Sequence, residues 1–196
     1  LIRLKDGTLG YLTKRIDRSG DGDKIPMEDM CQLTERQTEY KYKSSYEQIA
    51  KVIAKYSYVP LLDLTDFYEQ VFFSWLVGNN DMHLKNFSLY APKGKWGLTP
   101  AYDLLNVALV NTKDDEELAL TLNARKKRIK KADFLKAMET SGIAPKVFEN
   151  MVAKYQKLLP KFNEAIDMSF LDDEDKEMYK QSIAARLKRL IAERNK

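Results

Sequence analysis

Asn79, Asn80, Asp81, His83 and Asn86 stand within eight consecutive residues, and Asp103 follows 22 residues after Asp81. Asp81 and Asn86 are five residues apart, and the stretch between Asn86 and Asp103 reads as a hairpin: FSLYA, a PKGK turn, then WGLTP. A hairpin returns the chain to where it left, so Asp81, Asn86 and Asp103 are expected to face one small volume. Asp and Asn in a loop are also ordinary turn formers. One base-like carboxylate beside a separate Asn/Asp pair is, however, what phosphoryl transfer asks for. Its transition state needs alignment and charge neutralisation more than covalent help. Mg²⁺ takes hard oxygen ligands, one or two from protein and the rest from phosphate and water. Asn86 and Asp103 would supply the protein share, and Asp81 would orient the acceptor hydroxyl and take its proton.

Such a loop needs a rigid support. Phe67, Val71, Phe72, Trp75 and Leu76 cover most of the circumference of a helix read over 66–78, capped by Thr65 and stopped by Gly78. A shorter helix precedes it: Ser45 with Gln48 has capping-box spacing, Ile49, Val52, Ile53 and Tyr56 share a face, and Pro60 is expected to end it. Upstream, 9–17 reads as a strand, 18–24 as a loop, and MEDMCQL after Pro26 as a short helix. Downstream, 104–110 and 117–123 read as short strands, and 131–141, 145–165 and 170–194 as helices, with Pro160 kinking or splitting the second. The fold class is α+β, mainly helical, with a small strand-rich insert.

The composition excludes several classes. With 44% hydrophobic and 32% charged residues the chain is not a disordered polypeptide. One cysteine and one histidine exclude a disulfide framework and a His/Cys-rich metal site. Cys31 reads as a buried small hydrophobe. The longest apolar run, Val71 to Val77, is broken by Ser74, so no membrane-spanning helix is expected. A net charge of +4 is too small to name nucleic acid as a partner. The run ARKKRIKK at 124–131 reads first as a solvated turn, or else as an acidic-partner or nucleic-acid surface. Without a secretory signal in LIRLKDGTLGYLTKRIDR, a cytoplasmic setting is expected.

GNNDMHLKNFSLY followed by WGLTPAYDLLN resembles the HipA-like kinases, the toxin kinases of bacterial toxin–antitoxin pairs, whose signature is close to GN-x-D-x-H-x-x-N and then L-x-PAYDL. YLTKRIDR, MEDMCQL and LALTLNARKKRIKKADF resemble flanking parts of that family, so the likeness covers most of the chain. The resemblance implies a protein-kinase-like C-terminal lobe over 1–196 and a serine/threonine kinase dependent on ATP and Mg²⁺. On it, Asp81 is the catalytic base, Asn86 and Asp103 hold Mg²⁺, and His83 stands near the phosphates as a donor. Lys14, Arg15 and Ile16 resemble the hinge strand (9–18) that meets adenine, and Asp17 the residue near the ribose. The implied partners are a protein substrate, an aminoacyl-tRNA synthetase being the known class, and a helix-turn-helix antitoxin through which the complex contacts DNA.

No glycine-rich phosphate loop and no strand lysine with an acidic partner is evident; DGTLG at 6–10 is too short to serve. In the family these parts lie upstream, in an N-lobe, and the chain is expected to start just before the hinge. Weak ATP binding and little activity are therefore expected of this polypeptide alone. Two other readings remain: a non-enzymatic interaction module or split-kinase subunit, and a small-molecule or lipid phosphotransferase with the same chemistry.

Overall fold

The computed structural model describes residues 1–111 and 115–192. Helix α3, Pro60–Val77, is the axis of the molecule. It begins six residues before the expected start, because Pro60 occupies its first turn, where a missing N–H costs nothing. Pro60 therefore opens α3 rather than ending α2, which spans Tyr46–Tyr56. Thr65 is inside α3, its hydroxyl donating to the Leu61 carbonyl. Ser45 caps α2 by accepting from the Gln48 N–H.

Phe67, Tyr68, Val71, Phe72, Trp75 and Leu76 are fully buried on α3. Helices α2, α5 (Lys131–Thr140), α6 (Pro145–Asp167) and α7 (Asp173–Ala192) complete the helical body. Phe72 meets Phe134, Phe148 and Tyr155 edge-on at centroid distances of 5.2 to 5.6 Å. Edge-to-face pairs of this kind add to the large apolar area that each ring buries. Helix α6 runs unbroken through Pro160, which faces solvent together with Gln156 four residues earlier. The carbonyl released by the missing N–H thus lies on the wet side of the helix. The last helix was expected to reach 194; residues 193 and 194 lie outside the described residues.

The insert is a three-stranded antiparallel sheet in which β4 (Ser88–Tyr90) lies between β3 (Met27–Asp29) and β5 (Gly97–Leu98). MEDMCQL is therefore a strand leading into a single helical turn, α1 (Met30–Leu33), capped by Asp29 rather than begun by Pro26. The expected hinge strand shrinks to β2, Leu9–Gly10, paired with β1, Ile2–Arg3; residues 11–17 form no strand. Residues 104–110 are not a strand either. Asn106 accepts from the Leu109 N–H and caps one turn, α4 (Val107–Val110). In 117–123, Leu118, Ala119, Leu120 and Leu122 are all buried, but only isolated bridges form among the described residues, Ser45 to Thr121 and Leu122 to Arg125.

Asp63, nearly buried near the start of α3, fastens the sheet to the helices. Its carboxylate accepts from the Ser57 hydroxyl at 2.6 Å and from the Leu98 N–H at 2.9 Å. Among the described residues no helix is long and apolar enough to cross a membrane.

Candidate active site

The polar loop begins where α3 stops. Gly78 adopts φ +82°, which releases the chain from the helix; a Cβ there would lie 2.8 Å from Asn106 Oδ1. The Gly78 carbonyl accepts from the N–H groups of Val107 and Ala108. The segment beyond Asp103 is thereby held against the start of the loop.

Asn79, fully buried, ties the two ends together. Its Oδ1 accepts from the Asp81 N–H at 3.2 Å, and its Nδ2 donates to the Asp103 carbonyl at 3.1 Å. Asn86 Nδ2 donates to the Asp81 carbonyl at 3.0 Å, so the amide of Asn86 is oriented with Oδ1 left as its acceptor. Asp103 has φ +55°, a left-handed conformation that Asp tolerates better than most residues. Beside it, the Tyr102 hydroxyl donates to the Lys85 carbonyl at 2.7 Å and shares a 2.6 Å bond with Ser88. Burial pushes the Tyr102 phenol up to about 12, so it remains a donor. The backbones of Asp81 and Asp103 and the side chain of Asn86 are thus brought together.

His83 is 5% exposed and its Nδ1 has no hydrogen-bond partner among the described residues. Burial, helped by Lys41, lowers its pKa against the opposing pull of Asp81 and Asp103, so the ring is chiefly neutral at pH 7. Lys85 is committed elsewhere, to Asp29 at 2.6 Å.

Lys14, Ile16 and Asp17 share a groove of about 400 Å³ with Tyr102 and Asp103. This places the hinge-like residues beside one of the two expected metal ligands, although as an irregular segment. Asp17 is bound by its own neighbours, Arg15 at 2.5 Å and Arg18 at 2.6 Å; the Arg15 hydrogen bond is the main cause holding its carboxyl down at about 2. A larger groove of about 490 Å³, lined by Asp66, Glu69, Gln70 and Tyr155 among others, contains none of the loop residues.

Two contributors are not assigned by the sequence. Asn79 is conspicuous there only as one more loop asparagine. Tyr42 donates to Asp81 Oδ1 at 2.6 Å from 39 residues upstream, which no local pattern announces. Cys31 is buried as expected. Four cations of the basic run are paired: Arg125 with Asp133, Lys126 with Glu116, Lys127 with Asp115 and Lys131 with Glu149. That balance favours the solvated-turn reading of the run.

A helical body carrying a polar loop and a small sheet of this arrangement is a kinase-like C-terminal lobe. The fold is shared with HipA of Shewanella oneidensis MR-1, solved with HipB and operator DNA (TM-score 0.74, 20% identity, 91% of this chain and 48% of that one). It is shared less closely with the proinflammatory kinase CtkA of Helicobacter pylori (TM-score 0.54, 16% identity, 86% and 66%). The HipA-like C-terminal domain profile matches residues 1–162, and the chain belongs to that family. A candidate kinase of Sinorhizobium fredii, Y4dM, is 35% identical over 116 residues, 58% of this chain and 27% of its own length. One of Haemophilus influenzae is 40% identical over 65 residues, 33% of this chain and 19% of its own length. The chain thus spans about a quarter of the length of the curated relatives it matches.

Proposed function

We propose that this chain is the catalytic lobe of an ATP- and Mg²⁺-dependent serine/threonine protein kinase, the toxin of a toxin–antitoxin pair. The observation that carries the reading is the Asn79 side chain, which joins the backbone of Asp81 to that of Asp103, 22 residues further on, while Asn86 is fixed on the Asp81 carbonyl. The donor set suits Mg²⁺. Asn86 Oδ1 is left free by the orientation of its amide, and the exposed Asp103 carboxylate has no hydrogen-bond partner among the described residues. No group of three or more His, Cys, Asp or Glu side chains able to hold a metal occurs among those residues, so an ion there would have to draw most of its ligands from phosphate and water.

Mg²⁺ bound there would neutralise charge on the phosphate oxygens. The chain's own part is positional. Asp81 aligns the serine or threonine hydroxyl and accepts its proton as the γ-phosphoryl group arrives. Asn79 and Tyr102 hold the two acids in register. Lys14, Ile16 and Asp17 form the wall of the groove that receives the nucleoside end of ATP, with adenine met by backbone groups. His83, inward and neutral, acts from beneath the phosphates. The complex of the Shewanella protein with HipB and operator DNA supports an antitoxin partner that contacts DNA, here proposed to be of helix-turn-helix type; an aminoacyl-tRNA synthetase as the protein substrate is proposed from the family resemblance alone.

The test is transfer from radiolabelled ATP into a cell lysate by the full-length protein. Asp81→Asn is expected to abolish labelling while leaving the melting temperature unchanged. Equal labelling by the variant would overturn the assignment.

A further inference from the structure

Tyr42 lies far from the loop in sequence, and the segment 41–46 that carries it is fixed to the loop at three points. Its hydroxyl donates to Asp81 Oδ1 at 2.6 Å. The Lys41 carbonyl accepts from the Leu84 N–H at 3.2 Å, and the buried Tyr46 hydroxyl donates to the Met82 carbonyl at 3.1 Å. The Tyr42 ring stands edge-on to His83, centroids 5.0 Å apart, with Lys41 Nζ over its face at 5.0 Å. Tyr42, 42% exposed, is therefore seated by the edge contact of its ring with His83 and by the hydrogen bonds of Lys41 and Tyr46 on either side. Asp81 Oδ2 carries no hydrogen bond from a described residue.

We infer that Tyr42 is a positioning residue for phosphoryl transfer: by holding Asp81 Oδ1 it fixes the carboxylate rotamer and presents Oδ2 to the acceptor hydroxyl. This rests on the reading of Asp81 as the base. A carboxylate on a single Cβ–Cγ bond rotates freely unless one oxygen is held, and a base misplaced by an ångström loses much of its effect. Tyr42 suits the task because it does not ionise in the working range. Burial, together with the hydrogen bond to Asp81, pushes its phenol up to about 12, so the O–H is always present to donate. The alternative, that Tyr42 sits on the base as an acceptor to be phosphorylated, makes the opposite prediction for its chemical state.

The experiment compares wild type, Tyr42→Phe and Asp81→Asn in the full-length protein, measuring the rate of label transfer from ATP into lysate protein across ATP concentrations. Phe keeps the ring against His83 and removes only the hydroxyl. The saturating rate of Tyr42→Phe should fall roughly ten- to a hundredfold, the loss typical of a hydrogen bond to a charged group. The ATP concentration at half-saturation and the melting temperature should not change. An unchanged saturating rate, or a loss appearing only as a higher half-saturating concentration, would overturn the proposal, as would phosphate found on Tyr42 by mass spectrometry of the wild type. Labelling that survives Asp81→Asn would instead overturn the kinase reading on which it rests.

Discussion

From Gly78 to Phe87 the chain is bonded on all sides: to Ser74 and Trp75 behind it, to Lys41 and Tyr46 from upstream, to Tyr102, Val107 and Ala108 from downstream, and to Met30 across the sheet. From Tyr11 to Ile16, along the groove that also holds Tyr102 and Asp103, the backbone makes no such bonds among the described residues, and Tyr11 and Leu12 are more than 70% exposed. Both regions adjoin Asp103, one through the Asn79 side chain and the other through a shared groove, with unlike degrees of support. The half proposed for acid–base and metal-binding chemistry is preorganised by the core beneath it. The half assigned to the nucleoside takes little from this lobe, so changes there should alter binding without disturbing the fold.

Asn79→Ala tests the bonded side and carries the largest effect. It strips partners from the Asp81 N–H and the Asp103 carbonyl in a buried place, at about 1–3 kcal/mol for each group left unsatisfied. Chemical denaturation should show a loss of that order, and transfer by the full-length protein should fall steeply. A stable, active variant would mean that the loop does not depend on its bridge. A smaller effect is expected from pH. His83 is the sole histidine, and its pKa is lowered in the folded state. The unfolded chain therefore takes up the proton first. The contribution is fully present above pH 6.5, the ordinary value, and is lost as pH falls below it. Denaturation midpoints followed from pH 8 to pH 5 should show this slope in wild type and lose it in His83→Gln. The smallest structural effect belongs to Asp17→Asn on the exposed side. The melting temperature should stay where it is while nucleotide affinity in the full-length protein drops several-fold. A clear fall in melting temperature would show that the segment is better anchored than its bonding indicates.

How much of this was legible in the sequence follows the same division. Asp81, Asn86 and Asp103 could be read together because a hairpin separates them, and hairpins close on themselves. The aromatic helix was legible from its apolar residues, but its start was not. Pro60 has the same letter whether it ends one helix or opens the next, and the backbone decides by placing it where no N–H is needed. Residues 11–17 and 104–110 carry strand-like composition, yet alternation specifies a face and not a partner. Without a neighbour to complete a ladder the first stays irregular, and in the second Asn106 finds it easier to cap a turn. Tyr42 was illegible because its meaning lies entirely in what it touches, and the fold alone brings it to Asp81.

The two ends of the hairpin are clasped at its foot, by Gly78, Asn79 and Tyr102, while its turn, Lys93 to Lys95, is exposed and touches the rest of the chain beside Tyr58. The number of residues between Asp81 and Asp103 is thus not what sets their separation in space. A relative could lengthen or shorten that excursion and keep the two acids where they are. Spacing alone would then be a poor guide to kinship, and the pairing of a buried asparagine with the returning carbonyl a better one.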